Sequence, residues 1–379
     1  MKPGTSSSAS SDSPVSRTPV RRSLAPRALA LSAVAAVALG LLGCGDYESA
    51  GTLARASSSE ETTATSTGTA PVEAPTVQEI AVAVPEVEGL SEEIITVGWG
   101  MGPGEVSLGE GDFGTGGPDM MAVSPDGKTI AVYDRYAEPR RVNFYANGAA
   151  AGAVPLEDPP VAIAINDEGE VYALYQKRPI SELLHLATSG EVLETLAIDG
   201  ALDPMGPLSW AGSRLYCFAG VGGTEDDGYL LVASSGSLVS SAEQQNHREG
   251  ITEEYPLPVG SAMLQRDSGG GFVLTVFGEA KPTSAAHLSL PPDLAEASGF
   301  LFGSALGGLP VILFFSSQEG GPSTGCFVAV DPAGGMTRQA AVRFDWKVPG
   351  GEAVVGPDAV YVMRPDFETG LQLLRVPFR

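Results

Sequence analysis

The feature that most narrows what this chain can fold into is first met at Gly116 to Asn147, GGPDMMAVSPDGKTIAVYDRYAEPRRVNFYAN. An apolar run, Met120 to Val123, precedes a Ser-Pro-Asp-Gly turn at Ser124 to Gly127. A second run, Thr129 to Tyr133, leads across a polar loop to a third, Val142 to Tyr145. Short β-branched and aromatic runs parted by Asp-Gly-type turns build antiparallel meanders, because such turns follow the twist of the strands they join. The pattern then recurs. A second unit holds Val161 to Ile165, Val171 to Tyr175, Leu183 to Ala187 and Val192 to Ile198. Its turn glycine, Gly169, lies 42 residues after Gly127, and Gly212 of a third unit lies 43 residues after Gly169.

The third unit contains Leu208 to Trp210, Leu215 to Ala219 and Tyr229 to Ala233. The fourth is read as Ala262 to Leu264, a turn at Asp267 to Gly271, Phe272 to Phe277 and His287 to Leu290. The polar stretch before it, Ser240 to Pro258, reads as an insertion between units. A fifth and a sixth unit follow, the sixth ending after Leu371 to Val376. A period of about 40–50 residues with about four short strands per unit points to a β-propeller. One small sheet cannot bury both its faces, and neighbours in a closed ring do this for it. The expected class is therefore all-β: a β-propeller of six four-stranded blades over residues 92–379. Rings of five or seven blades and a β-sandwich remain open alternatives. The sixth unit lacks an outer strand, and a lone strand, Ile94 to Val97, opens the domain. We expect this strand to pair with Leu371 to Val376, closing the ring and removing an exposed edge.

Gly98 to Asp134, GWGMGPGEVSLGEGDFGTGGPDMMAVSPDGKTIAVYD, resembles the opening of NHL-like six-bladed propellers. Those repeats place a Gly-rich loop and Gly-Pro before a strand, then Pro-Asp-Gly, then a strand ending near Asp. The likeness is clear in the first unit, fair in the second and weak beyond.

The N-terminus carries a different message. Lys2, Arg17, Arg21, Arg22 and Arg27 precede an uncharged apolar run from Ala28 to Gly43. That run is too short for a transmembrane helix, which needs about 20 residues, and suits the core of a signal peptide. It ends Leu41-Leu42-Gly43-Cys44, which resembles the lipobox of bacterial lipoproteins. The resemblance implies removal of residues 1–43, diacylation of Cys44 and a cell-envelope address facing the periplasm or the cell surface. Arg21-Arg22 also looks like a twin-arginine export signal. Residues 44–91 are rich in Ser, Thr, Ala, Glu and Pro and read as a disordered tether, too poor in large apolar groups to offset the entropy of ordering. A locally packed edge from Ile80 to Val87 is the alternative.

Charge narrows the partners. The chain has 46 acidic and 22 basic residues, a formal net charge of -24. Nucleic-acid binding needs clustered positive charge, so it is disfavoured. The expected partners are the membrane, through the lipid, and envelope proteins or an anionic ligand.

No catalytic set stands out. His185, His247 and His287 lack metal-ligand spacing, and neither a metal nor another cofactor is expected. Cys217 and Cys326 fall in non-neighbouring units, too far apart for a disulfide, so both are expected free and buried. Gly321 to Gly325 matches G-x-S-x-G without the strand-to-helix elbow that makes a nucleophile. Gly109 to Gly114 matches G-x-G-x-x-G without a helix to hold a pyrophosphate, and reads as a connecting loop. Loops between second and third strands share one propeller face. They carry Arg135, Arg178 and Arg364, each at the end of a second strand, and also Glu279 and Lys281. Three arginines near one mouth suit a carboxylate-bearing ligand. The plainer reading is that they balance neighbouring acids. Two functions are carried: a membrane-anchored, non-enzymatic binding or scaffold propeller, and a metal-dependent hydrolase or lactonase-like propeller with inward acids and Asn.

Overall fold

The computed structural model describes residues 75–83, 91–111, 114–177, 180–198, 202–221, 228–240, 254–278, 281–316, 323–344 and 353–379. Six small antiparallel sheets are its blades, each running from an inner to an outer strand. Blade 1 is Met120–Val123, Thr129–Asp134, Arg141–Ala146 and Ala149–Pro155; blade 2 is Ala162–Ile165, Val171–Tyr175, Ser181–Leu186 and Val192–Ile198. Blade 3 is Leu202–Ala211, Arg214–Val221, Gly228–Ser234 and Ser237–Leu238; blade 4 is Tyr255–Pro256, Ser261–Arg266, Phe272–Gly278 and Lys281–Ser289. Blade 5 is Ser298–Ala305, Leu309–Ser316, Ser323–Asp331 and Met336–Phe344. Blade 6 is Ala353–Val355, Ala359–Asp366 and Gly370–Pro377, completed by Glu92–Val97 from the other end of the domain. The chain is a six-bladed β-propeller.

The closing strand is antiparallel to the last one, with Glu92 opposite Arg375 and Val97 opposite Leu371. This is the closure expected from the sequence. Val97 at its end turns inward, where it is buried with Val106, Met121, Ala359, Leu371 and Leu373. Apolar clusters of this kind occupy the spaces between successive blades. Tyr133, Phe144, Ile163, Ile165 and Val171 fill the space between blades 1 and 2. Leu274, Leu288, Ile312, Phe314 and Val328 do so between blades 4 and 5. Each large apolar side chain buried this way contributes about 1.5–3 kcal/mol. Packing between blades, more than any one blade's own hydrogen bonds, holds the wheel.

The turns between first and second strands meet on what we term the lower face. The Asp126 amide donates to Asp167 Oδ1 at 2.8 Å, and Tyr361 Oη donates to the Gly127 carbonyl at 3.2 Å. Gly127 has φ +74°, and a Cβ there would stand 2.8 Å from Pro357 Cγ. Left-handed backbone and close approach together require glycine in this Pro-Asp-Gly turn.

Two expectations need correction. In the fourth unit, the stretch read as an insertion ends in the blade's inner strand, Tyr255–Pro256, which turns back at residues 257–260. This turn lies against the lower-face turns of its neighbours, since Arg214 Nη2 donates to the Leu257 carbonyl at 3.3 Å and Pro258 borders Gly212 and Gly308. Ala262 to Leu264 is thus a second strand. Asp267 to Gly271 joins second to third strands on the upper face, the third strand ends at Gly278 on the lower one, and Glu279 lies outside the described residues. The second correction concerns the tether. Its C-terminal part does not run on as a spacer to residue 91: Val77–Ala81 is a fifth strand on blade 4, parallel to Lys281–Ser289. Ile80 and Val82 are buried there, the packing that the local-edge alternative anticipated from residue 80 onward.

Candidate functional site

The polar chemistry of the wheel gathers in three places. The first is the seam between blades 6 and 1, bridged by residues 98–108. The chain folds back on itself there, with the Gly100 amide donating to the Val106 carbonyl and the Val106 amide to the Gly98 carbonyl. Trp99 Nε1 donates to the Asp366 carbonyl at 2.8 Å, and its ring stacks on Phe367 at 6.4 Å. Asp134, fully buried at the end of a second strand, accepts from the Ser107 amide at 3.1 Å and from Ser107 Oγ at 3.2 Å. Arg141 lies 3.5 Å from the same carboxylate and donates to the carbonyls of Gly102 and Glu105. Asn143 Nδ2 donates to the Glu105 carbonyl at 3.1 Å. A carboxylate buried without such partners would cost several kcal/mol. Here it fastens the seam, so Asp134, Arg141 and Asn143 serve ring closure.

The second place is the upper rim over blades 1 and 2. Arg135 reaches Asp119 at 2.5 Å and lies over the Tyr136 ring at 5.3 Å. Burial raises the Asp119 carboxyl above its ordinary range, against the pull of Arg135. Arg135, Tyr136, Glu138, Arg140, Pro155 and Glu157 are among the residues lining a cleft of about 620 Å³ whose charges are of both signs. Tyr133 Oη is buried nearby without a hydrogen-bond partner, and burial raises its pKa. Lys177 pairs with Glu182 at 2.8 Å and Asp158 at 3.7 Å. Of the three arginines singled out from the sequence, Arg135 is thus committed to Asp119. Arg364 is exposed on the second strand of blade 6, and Arg178 lies outside the described residues, as does Cys44. Lys281 begins the fourth strand of blade 4 and so stands at the opposite face.

The third place is a pair of histidines held by carboxylates. His185 is buried, stacked on Tyr172 at 4.4 Å, with Nε2 2.9 Å from Glu170 Oε2. Asn166 Nδ2 donates to the same Glu170 oxygen at 2.7 Å. Glu194 Oε2 stands 3.8 Å from His185 Nδ1, beyond a hydrogen bond, and accepts instead from the Leu238 amide. His287 lies between Glu79 and Asp267 and contacts both. His247 is outside the described residues.

Among the described residues, no group of three or more His, Cys, Asp or Glu is placed to hold a metal. The inner strands, which line a propeller's channel, carry one acidic residue between them, Asp203, and no basic one. Asn143 and Asn166 are engaged by the seam and by Glu170. Cys217 and Cys326 are free and buried, as expected, and burial pushes both thiols up to about 12. The strand Ser323–Asp331 follows the G-x-S-x-G stretch, so the strand-to-helix elbow is missing there. Gly109–Gly111 and Gly114–Gly116 pair as a small hairpin in the connection to blade 1.

A six-bladed β-propeller whose polar side chains gather at the seam, the upper rim and the two carboxylate-held histidines is what the fold and these places define. No family model matches the chain, and no curated protein matches it. Among solved structures it is similar to the PQQ-bound aldose sugar dehydrogenase of Streptomyces coelicolor, at 13% identity and a TM-score of 0.38, covering 78% of this chain and 100% of that one. It is similar to apo AztD from Citrobacter koseri at 16% identity and a TM-score of 0.33, covering 67% of this chain and 70% of that one. A DUF4221 family member from Bacteroides vulgatus matches at 8% identity and a TM-score of 0.34, covering 69% of this chain and 92% of that one. At these identities the likeness is one of fold alone, and no activity is carried across.

Proposed function

We propose that this protein is an extracytoplasmic lipoprotein: a β-propeller held at a membrane of the cell envelope by acylated Cys44, presenting its upper rim for binding. The observation that carries this reading is the run of basic residues, apolar core and Leu41-Leu42-Gly43-Cys44 ahead of a closed propeller. Two or three acyl chains anchor a protein stably, whereas one is marginal. Residues 45–76 precede the first described strand of the wheel. As a flexible coil they would reach roughly 30 Å, at about 5–6 Å × √n. The domain would then search the space just above the membrane surface. The mixed-charge cleft over blades 1 and 2 is the binding face we favour. Arg135 on blade 1 and Arg364 on blade 6 stand on neighbouring blades and would offer positive charge to an anionic group on an envelope partner, Arg135 in exchange for or beside its contact with Asp119. Arg178, outside the described residues, is the third arginine of this reading. NHL-like propellers are the class of scaffold that this reading implies.

The test is detergent phase partition of the protein expressed in a bacterial host, with Cys44→Ser alongside. The anchored reading requires the native chain in the detergent phase and the variant in the aqueous one. Native protein found in the aqueous phase contradicts it. Pull-down from solubilised membranes, with Arg135→Ala/Arg364→Ala as control, tests the rim: partners retained by the double variant remove it as the binding face.

A further inference from the structure

The fifth strand of blade 4 differs from every other strand pair in the blades. It is parallel to its neighbour, it comes from outside the repeat, and its partner strand would otherwise be an exposed edge. Two kinds of contact hold it. Ile80 and Val82 enter the apolar layer with Phe272, Leu274 and Leu288, and the Val82 amide donates to the Ser289 carbonyl at 2.9 Å. The other contact is polar. Glu79 stands directly opposite His287 in the register, and its Oε2 lies 2.7 Å from His287 Nδ1. On the other side of the ring, His287 Nε2 lies 2.5 Å from Asp267 Oδ2, in the turn before the third strand.

We propose that blade 4 has a strand-acceptor edge for residues 77–82 of its own chain, and that the Glu79–His287–Asp267 clamp makes this docking depend on protonation of His287. The chemistry is set by hydrogen-bond inventory. A neutral imidazole has one N–H and one lone pair, whereas an imidazolium has two N–H groups. Here both ring nitrogens face carboxylate oxygens, so only the imidazolium donates to both. In the neutral ring one lone pair points at a carboxylate, so one of the two bonds is lost and the polar fastening of the strand weakens. Glu79 and Asp267 are the charged groups that bear on His287. Arg266, next to Asp267 in the chain, is turned away to the Ala295 carbonyl and the Phe272 ring. His185 provides the contrast within the same molecule, since only Glu170 is within hydrogen-bond distance of it.

The sign follows from the two carboxylates. Hydrogen bonds that His287 donates to Glu79 and to Asp267, in that order of weight, raise its pKa above the ordinary 6.5. The clamp is therefore fully present below about 6.5 and is lost as pH rises through the raised folded value. Asp267 is shifted down from 3.8, chiefly by His287, so its part persists until pH falls below that range. Docking is firmest in mildly acidic solution and loosens toward alkaline pH. Under the anchored reading above, release would lengthen the free tether from residue 76 to residue 91 and let the wheel stand further from the membrane.

Hydrogen exchange of the whole purified chain, expressed as protection factors to remove the intrinsic pH dependence, tests this without lipid, so its failure is separate from a failure of the anchor. Protection over residues 77–82 should fall severalfold between about pH 6 and about pH 9, while Val171–Tyr175 in blade 2 stays constant. In His287→Gln that pH dependence should vanish, and in Glu79→Gln it should shrink. Equal protection at both pH values in the native chain overturns the proposal, as does an undiminished dependence in His287→Gln. A nuclear magnetic resonance titration of the His287 ring gives a second reading: a midpoint at or below 6.5 contradicts the clamp.

Discussion

The side chains that matter most to this fold are few, and the strongest is Asp134. It is a fully buried carboxylate, satisfied because Ser107 reaches it from the segment that bridges the seam and Arg141 from the next strand of its own blade. Removing one partner of a buried pair leaves the other uncompensated, at a cost of about 3–5 kcal/mol. Asp134→Ala should therefore lower stability by about 3 kcal/mol in urea unfolding, and Asn143→Ala by less, since it breaks one neutral bond worth about 1 kcal/mol. The thiols give a second test at this scale. Cys217 and Cys326, buried and held protonated to about pH 12, should resist a thiol reagent in the native state and both react in denaturant. Asp126 gives a third. Its bond from Lys128 lowers its pKa to about 2 from 3.8, so the contribution of this turn is present above 3.8 and lost as pH falls toward 2. Asp126→Asn should flatten acid unfolding in that window and lower stability near neutral pH modestly, because the contribution that acid removes from the native chain is already gone. The burial of the two thiols was legible in the sequence. The role of Asp134 was not, because only the return of residues 98–108 across the seam brings Ser107 to it.

At the scale of elements, what was legible was the continuous apolar run of strands covered on both faces. Val171–Tyr175 is buried throughout, and Thr129–Asp134 and Ala359–Asp366 hold buried runs from Ile130 to Tyr133 and from Ala359 to Met363. Outer strands were harder. Ala149–Pro155, with sequence AAAGAVP, is exposed at six of seven positions and offers no pattern to read. Ser237–Leu238 and Tyr255–Pro256 are two residues long, below what any periodicity detects. That is why the fourth unit was placed one strand out of step. Val77–Ala81 was hidden for another reason: one buried residue in five, pairing across more than 200 positions of chain. Elements also differ in what holds them. In the closing pair, Arg375 reaches Glu92 at 2.7 Å and Asp358 at 2.5 Å, but both acids are half exposed. Leu373 on the same strand is fully buried. Arg375→Ala should cost less than about 1 kcal/mol, and Leu373→Ala about 2–5 kcal/mol, in the same unfolding assay.

The whole molecule is a ring, and a ring has a property that no single blade has: its two ends must find each other. Strand Glu92–Val97 supplies that meeting, Asp134 and Arg141 fasten it, and the apolar layer around Val97, Val106 and Leu371 fills it. The rim that we propose for binding depends on it, because Arg135 and Arg364 stand on the two blades that the seam joins. The sequence carried the blade number and the closure through its period and its orphan strand. It did not carry the ligand, since no inner strand or rim loop repeats a chemical motif. Pairing of Thr96 with Gln372 within blade 6, where the N-terminal strand closes the ring, can be measured directly. In the double variant Thr96→Cys/Gln372→Cys, oxidation or a short thiol cross-linker should join the two positions within one chain, with the native fold retained and a raised unfolding temperature. Thiols that stay unlinked in folded protein, or that link only between chains, would contradict a wheel closed by its own N-terminal strand.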